Sequence, residues 1–133
     1  MNILVIELDE WFSSRLKKMH RSPEIIAYVC GVLKSLANPG EKDVFANRSI
    51  VLAFQDASLK GDFTSFQQIG DWVLWIDTIM PEHLDGNREA IESIGRMSYR
   101  SCNRILRGQW RIYEELADEL PEIAKLARQT LNS

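Results

Sequence analysis

Cysteine and histidine are scarce in this 133-residue chain, with two of each, and the scarcity removes several kinds of chemistry. Cys30 and Cys102 are too few for a disulfide framework or a four-cysteine zinc site. Each falls inside an apolar helical pattern, where a buried, inert thiol is expected. No His-x-x-x-His or Glu-x-x-His pair occurs, and glycine-rich phosphate loops and dinucleotide fingerprints are missing. Long apolar runs are missing as well. The longest, around Trp72, falls far short of the roughly 20 residues that a membrane span requires. The opening, Met1 to Glu10, has no basic leader, and its short apolar run ends in acids, so it does not read as a signal peptide. A reducing, cytoplasmic setting with no membrane partner is the expectation. Basic charge is not in excess: the net charge of -3 and pI near 5.4 argue against wholesale coating of nucleic acid, though not against a local basic site. Strand signals are almost absent, since Ile3 to Ile6 has no second candidate to pair with.

What is present reads as helix. The length and the 45% hydrophobic, 26% charged composition fit one soluble globular domain, residues 1–133. Between Trp72 and Met80 only Asp77 and Thr78 are polar, and a helix apolar on nearly every side belongs inside a core. A central helix is therefore predicted from about Thr64 to Met80, ended by Pro81. Before it, one helix is expected over Glu7 to Met19. A second starts at Ser22-Pro23-Glu24, an N-cap hydroxyl, a first-turn proline and a first-turn acid, and runs to Leu36. A third is capped by Asn47 and ended by Lys60-Gly61, with Val44 and Phe45 of the preceding loop tucked onto the core. After it, Asn87 caps the longest helix, from Arg88 to about Leu120, and Pro121 kinks or breaks it before a short last helix through Leu131. The predicted fold is an all-α bundle of five or six helices around the central one.

Several segments form an ordered pattern. They are Ser22-Pro23-Glu24-Ile25-Ile26-Ala27-Tyr28-Val29, Ile69-Gly70-Asp71-Trp72-Val73-Leu74-Trp75, Met80-Pro81-Glu82-His83-Leu84, Ile94-Gly95-Arg96-Met97-Ser98-Tyr99 and Tyr113-Glu114-Glu115-Leu116-Ala117. The pattern resembles a family of small all-helical bacterial proteins of unknown function, and it covers most of the chain. Two departures stand out. Ile76-Asp77 replaces the family's small residues, and Ile91-Glu92 stands near where its paired tyrosines would be. The resemblance implies an all-α bacterial protein and supplies no reaction.

Arg96, Arg100, Arg104, Arg107 and Arg111 follow spacings of four, four, three and four. On one continuous helix they fall within roughly 80° of each other, opposite a seam through Ile94, Ile105 and Leu116, and so project away from the core. Tyr99 and Trp110 lie on the flank, where they could stack on bases or arginines. Three readings stand open: a solvated face paired with acids at helical spacing, a contact with a protein partner or a second copy, or a row of guanidinium groups for phosphates and nucleic acid.

Asp71, Asp77, Glu82, His83 and Asp85 invite a metal reading, including a metal-dependent hydrolase around Asp71 and His83. Their spacing spreads them over different faces and a proline turn, so neither metal nor cofactor is expected. Ser98, Ser101 and Cys102 have no base at a useful spacing, and enzymatic catalysis is not expected. Gly70-Asp71 and the small-residue strip Gly95, Ser98 and Cys102 are predicted to face each other. That places Asp71 at the contact, with the Ser98 and Tyr99 hydroxyls as nearest donors and a guanidinium as the alternative. The functional expectation is a non-enzymatic interaction protein with an exposed helix face. The alternative is an anion- or nucleic-acid-binding module built on the arginine stripe.

Overall fold

Capping chemistry sets three of the helix starts. The structure, a computed structural model, describes residues 3–36 and 49–133, with backbone only for 3–9. Among them are six helices, no strand and a 3-10 turn: α1 (Ile3–Leu16), α2 (Pro23–Leu36), α3 (Ile50–Lys60), α4 (Phe63–Ile79), the turn Pro81–Leu84, α5 (Arg88–Ile105) and α6 (Arg111–Leu131). Ile3 to Ile6 is helical, so α1 starts earlier than the sequence reading placed it. The Ser22 hydroxyl accepts from the Ile25 amide at 3.3 Å, the expected start of α2. Ser49, not Asn47, caps α3 by accepting from the Val51 amide; Asn47, Val44 and Phe45 lie outside the described residues. Asp62 caps α4 through the Thr64 amide and also accepts from the Ser65 hydroxyl. Asn87 does stand at the N-cap of α5, but its side chain makes no capping bond there.

The expected long helix to Leu120 does not form. Arg107 and Gly108 both adopt left-handed backbone, at φ 55° and 71°, and the Gly108 amide reaches back to the Asn103 carbonyl at 2.9 Å. A glycine just past a helix end is a strong stop signal because it takes this conformation without a Cβ clash. α6 then begins at Arg111 and continues past Pro121, where a kink or a break was expected and a kink is found. Its only deviation is a kink at Glu119, φ −128° and ψ 23°.

That passage is possible because another side chain replaces what proline removes. Proline has no N–H, so the carbonyl four residues earlier loses its helical donor. For Pro121 that carbonyl belongs to Ala117, and Arg96 of α5 donates its Nε–H to it at 2.9 Å. Pro81 has the same effect on the Asp77 carbonyl at the end of α4, and there Arg128 of α6 donates at 2.7 Å. Two prolines free two carbonyls, and two arginines from neighbouring helices satisfy them.

α4 sits at the middle, packed against α2, α3, α5 and α6. It buries Phe66, Ile69, Val73, Leu74 and Ile76, while Trp72 and Trp75 are only half-buried against the core. Its closest partner is α5. A Cβ on Gly70 would lie 2.7 Å from the Tyr99 ring, and one on Gly95 would lie 2.7 Å from Val73 Cγ1 and 3.0 Å from Leu120 Cδ1. Even an alanine methyl has no room at either place, so the two glycines set how closely the helices approach. Leu16, Met19, Ile25, Val29 and Leu33 from α1, α2 and the turn between them are buried in the same core.

The proline–arginine pairing gives a measurable coupling. Arg96→Met should cost about 1–3 kcal/mol, the worth of a hydrogen bond to a charged donor. In a Pro121→Ala background residue 121 has its own N–H, and the same change should cost much less. Urea unfolding of the four proteins in this double-mutant cycle measures it; equal losses in both backgrounds would contradict the pairing.

Candidate functional site

The Asp71 carboxylate is the polar group that ties α2, α4 and α5 together. Its Oδ1 accepts from the Tyr28 hydroxyl of α2 at 2.6 Å and the Tyr99 hydroxyl of α5 at 2.8 Å. Three helices thus meet at one oxygen. Burial pushes the Asp71 carboxyl up to about 6, with both tyrosine hydrogen bonds opposing the shift. The tyrosines are displaced upward too, first by burial and then by the neighbouring carboxylate, so both keep the protons they donate. Around them Tyr113 packs edge-on against Tyr28 and Phe63, each at 5.6 Å, and its hydroxyl accepts from Gln67 at 2.8 Å. Burial lifts the Cys102 thiol to about 12, which leaves it un-ionised and a poor nucleophile. Cys30 is likewise buried and unpaired.

Gly70, Asp71 and Gly95 therefore lie where the sequence placed them, at the α4–α5 contact, and Tyr99 is one of the expected donors. Ser98 is not: its buried hydroxyl donates to the Ile94 carbonyl of its own helix at 2.8 Å, a local bond that serine makes readily. Tyr28 was missed as a donor. Its signal was available, since a tyrosine among Ile25, Val29 and Leu33 on the inner face of α2 needs a partner for its hydroxyl.

The five arginines do not form one row, because the turn at Arg107-Gly108 divides them. Arg96 is half-buried and tied to the Ala117 carbonyl. Arg100 and Arg104 are exposed on α5; Arg100 meets Asp118 at 3.3 Å and Arg104 meets the Ser101 hydroxyl at 3.4 Å. Arg107 stands in the left-handed turn, and Arg111 opens α6. Tyr99 is fully buried and cannot stack on an exposed base. Trp110 is 59% exposed, but it lines a different groove. Ile105, expected on the inner seam, is exposed at the end of α5.

The acidic set also separates. Asp71 belongs to the tyrosines, and Glu82 and His83 are exposed on the 3-10 turn. Asp77 is buried and its Oδ1 pairs with Arg88 at 2.8 Å, while Arg88 also donates to the Pro81 carbonyl and approaches Asp85. Among the described residues no group of three His, Cys, Asp or Glu side chains could hold a metal ion. Asp77 Oδ2 is buried with no donor, and the Glu92 carboxyl of α5 lies within hydrogen-bonding reach of Asp77. Burial pushes Glu92 up to about 7; the bond to Asp77, its charge and that of Glu122 add to the rise, and Arg88 opposes it. Protonation would make Glu92 a donor toward Asp77.

Two surface grooves flank these clusters, apart from a third beside Glu92, Arg96 and Pro121. One, of about 1120 Å³ between α2 and α6, includes Tyr28, Trp110, Arg111, Glu24, Glu114 and Asp118 in its lining. The other, of about 590 Å³, lies between α3 and α5 and is lined by Phe54, Phe66, Met97, Ile105, Arg100 and Arg104, with small residues between them. With this geometry in view, comparison offers no guide: no protein-family model matches the chain, and neither the curated proteins nor the solved structures contain a match.

The Glu92–Asp77 contact has a pH signature. A carboxyl raised in the fold stabilises the fold in its protonated form. Its contribution is complete below the ordinary glutamate value of 4.5 and is lost as pH rises to about 7. Asp71 has the same sign over the lower window, from 3.8 to about 6. Glu92→Gln carries an N–H donor at every pH. It should flatten the upper window and exceed the parent by on the order of 1 kcal/mol at pH 8. Denaturation midpoints from pH 4 to 8 measure this, and parallel curves for the two proteins would contradict it.

Proposed function

We propose that this chain is a non-enzymatic helical interaction protein of the bacterial cytoplasm, which meets a protein partner through the outer surfaces of α3 and α5. The observation that carries the reading is the placement of exposed apolar side chains. Val51, Leu52 and Leu59 stand in water on α3, Leu59 at 88% exposure, and Met97 and Ile105 do so on the neighbouring α5. Exposed apolar residues scattered singly are ordinary, whereas a group on adjoining helices marks an interaction surface. The two buried, unpaired cysteines fit a reducing compartment. No described helix is long and apolar enough to cross a membrane. A second reading, binding of phosphates or nucleic acid, draws support from Arg100, Arg104 and Arg107, which remain exposed near one another in sequence.

A photo-reactive residue placed at Leu59 should cross-link a discrete protein in the source cell, and one placed at the exposed Glu122 should not. The Leu59 adduct should survive nuclease treatment. An adduct destroyed by nuclease would transfer the surface to nucleic acid. Equal labelling from both positions, or none, would overturn the interaction reading.

A further inference from the structure

We infer that the groove between α3 and α5 takes an acidic amphipathic helix of the partner, seated with its apolar edge inward and its carboxylates against Arg100 and Arg104. This rests on the interaction reading above and specifies the chemistry of the occupant. The groove is a cleft between two helices with a rim of a single charge. Phe54 and Phe66 pack edge-on at 6.0 Å on its inner side, while Met97 and Ile105 are 42% and 38% exposed along α5. Met97, Arg100, Ser101, Arg104 and Ile105 recur at three- and four-residue spacing, so one ridge of α5 forms a whole wall of the groove. Gly61 ends α3 with nothing within 4 Å of its would-be Cβ, which leaves that end of the cleft open. A cleft of this kind accepts a helix through apolar anchors at i, i+3 or i+4, and i+7.

Charge decides which helix. No carboxylate is among the residues lining the groove, and two guanidinium groups are. Among the described residues Arg100 is held by Asp118 alone, in an ion pair whose side chains are 57% and 60% exposed. Such a pair is worth little and exchanges readily. Arg104 meets a neutral hydroxyl at 3.4 Å. Both are available for forked bonds to incoming carboxylates, and a basic helix would meet repulsion with nothing to offset it. A phosphate chain would satisfy the arginines, but it would leave Met97 and Ile105 without apolar cover.

The test uses the full chain and three synthetic peptides of roughly 18 residues, about five helical turns. One places leucines at helical spacing with glutamates between them. The second replaces every glutamate by lysine, and the third shuffles the first so that its composition stays and its periodicity is lost. Fluorescence anisotropy should show saturable binding of the first alone. Arg100→Glu with Arg104→Glu should weaken it at least about tenfold, as should Met97→Asp with Ile105→Asp. All four sites are exposed, so thermal melting should be little changed and confirms that the variants fold. Equal binding of the shuffled or lysine peptide, competition by a single-stranded oligonucleotide, or indifference to both double variants would overturn the inference. So would binding of no peptide. If Leu59 still cross-links a protein in that event, only the occupant is wrong; if Leu59 also fails, the interaction reading falls with it.

Discussion

The close approach of α4 and α5 is the constraint on which the rest of the molecule depends. Gly70 admits the Tyr99 ring and Gly95 admits Val73 and Leu120, each at a distance that a methyl group would block. Because the Tyr99 ring packs against the helix at Gly70, its hydroxyl arrives at the next residue, Asp71. Tyr28 reaches the same oxygen from α2. A buried carboxylate without donors would cost several kcal/mol, so the two hydroxyls make that helical arrangement favourable. Either helix displaced by a turn would strand the charge. The cluster therefore acts as a register for three helices, and its polar atoms are turned inward on one another.

A second theme is the use of arginine as a donor to backbone carbonyls. Arg15 of α1 bonds the Leu131 and Ser133 carbonyls at the end of α6, and Arg88 bonds the Pro81 carbonyl. Arg96 and Arg128 supply the bonds that Pro121 and Pro81 remove. A forked, always-charged donor on a long stem suits this work better than lysine. Three of the five arginines that read in sequence as an interaction stripe are thus committed or diverted: Arg96 to the proline kink, Arg107 to a turn, and Arg111 to the far groove. What remains for a partner is the pair Arg100 and Arg104, beside apolar side chains that have no cover.

Much of this was legible in the sequence because it rests on local signals. The all-α class, the central helix and the α2 start at Ser22-Pro23 follow from periodicity and capping, and the close approach at Gly70 and Gly95 from their lack of side chains. The break after Ile105 was also written locally, in Gly108, but a regular spacing of arginines across it outweighed one glycine. Pro121 signalled a kink or a break, and the local sequence does not choose between them, because that depends on a donor 25 positions away at Arg96. Tyr28 was hidden for the same reason: its partner, Asp71, is 43 residues distant. The grooves were not legible at all, since they are made by the packing of helices and not by any one of them.

The central claim is that the Asp71 carboxylate, held by two hydroxyls, fixes how α2, α4 and α5 meet. Equilibrium urea unfolding of Asp71→Ala beside Asp71→Asn tests it most directly. Alanine strands both tyrosine hydroxyls and should cost about 1–3 kcal/mol. Asparagine keeps a carbonyl oxygen for them to donate to, and should cost distinctly less. An alanine variant as stable as the parent, or two variants equally destabilised, would contradict it.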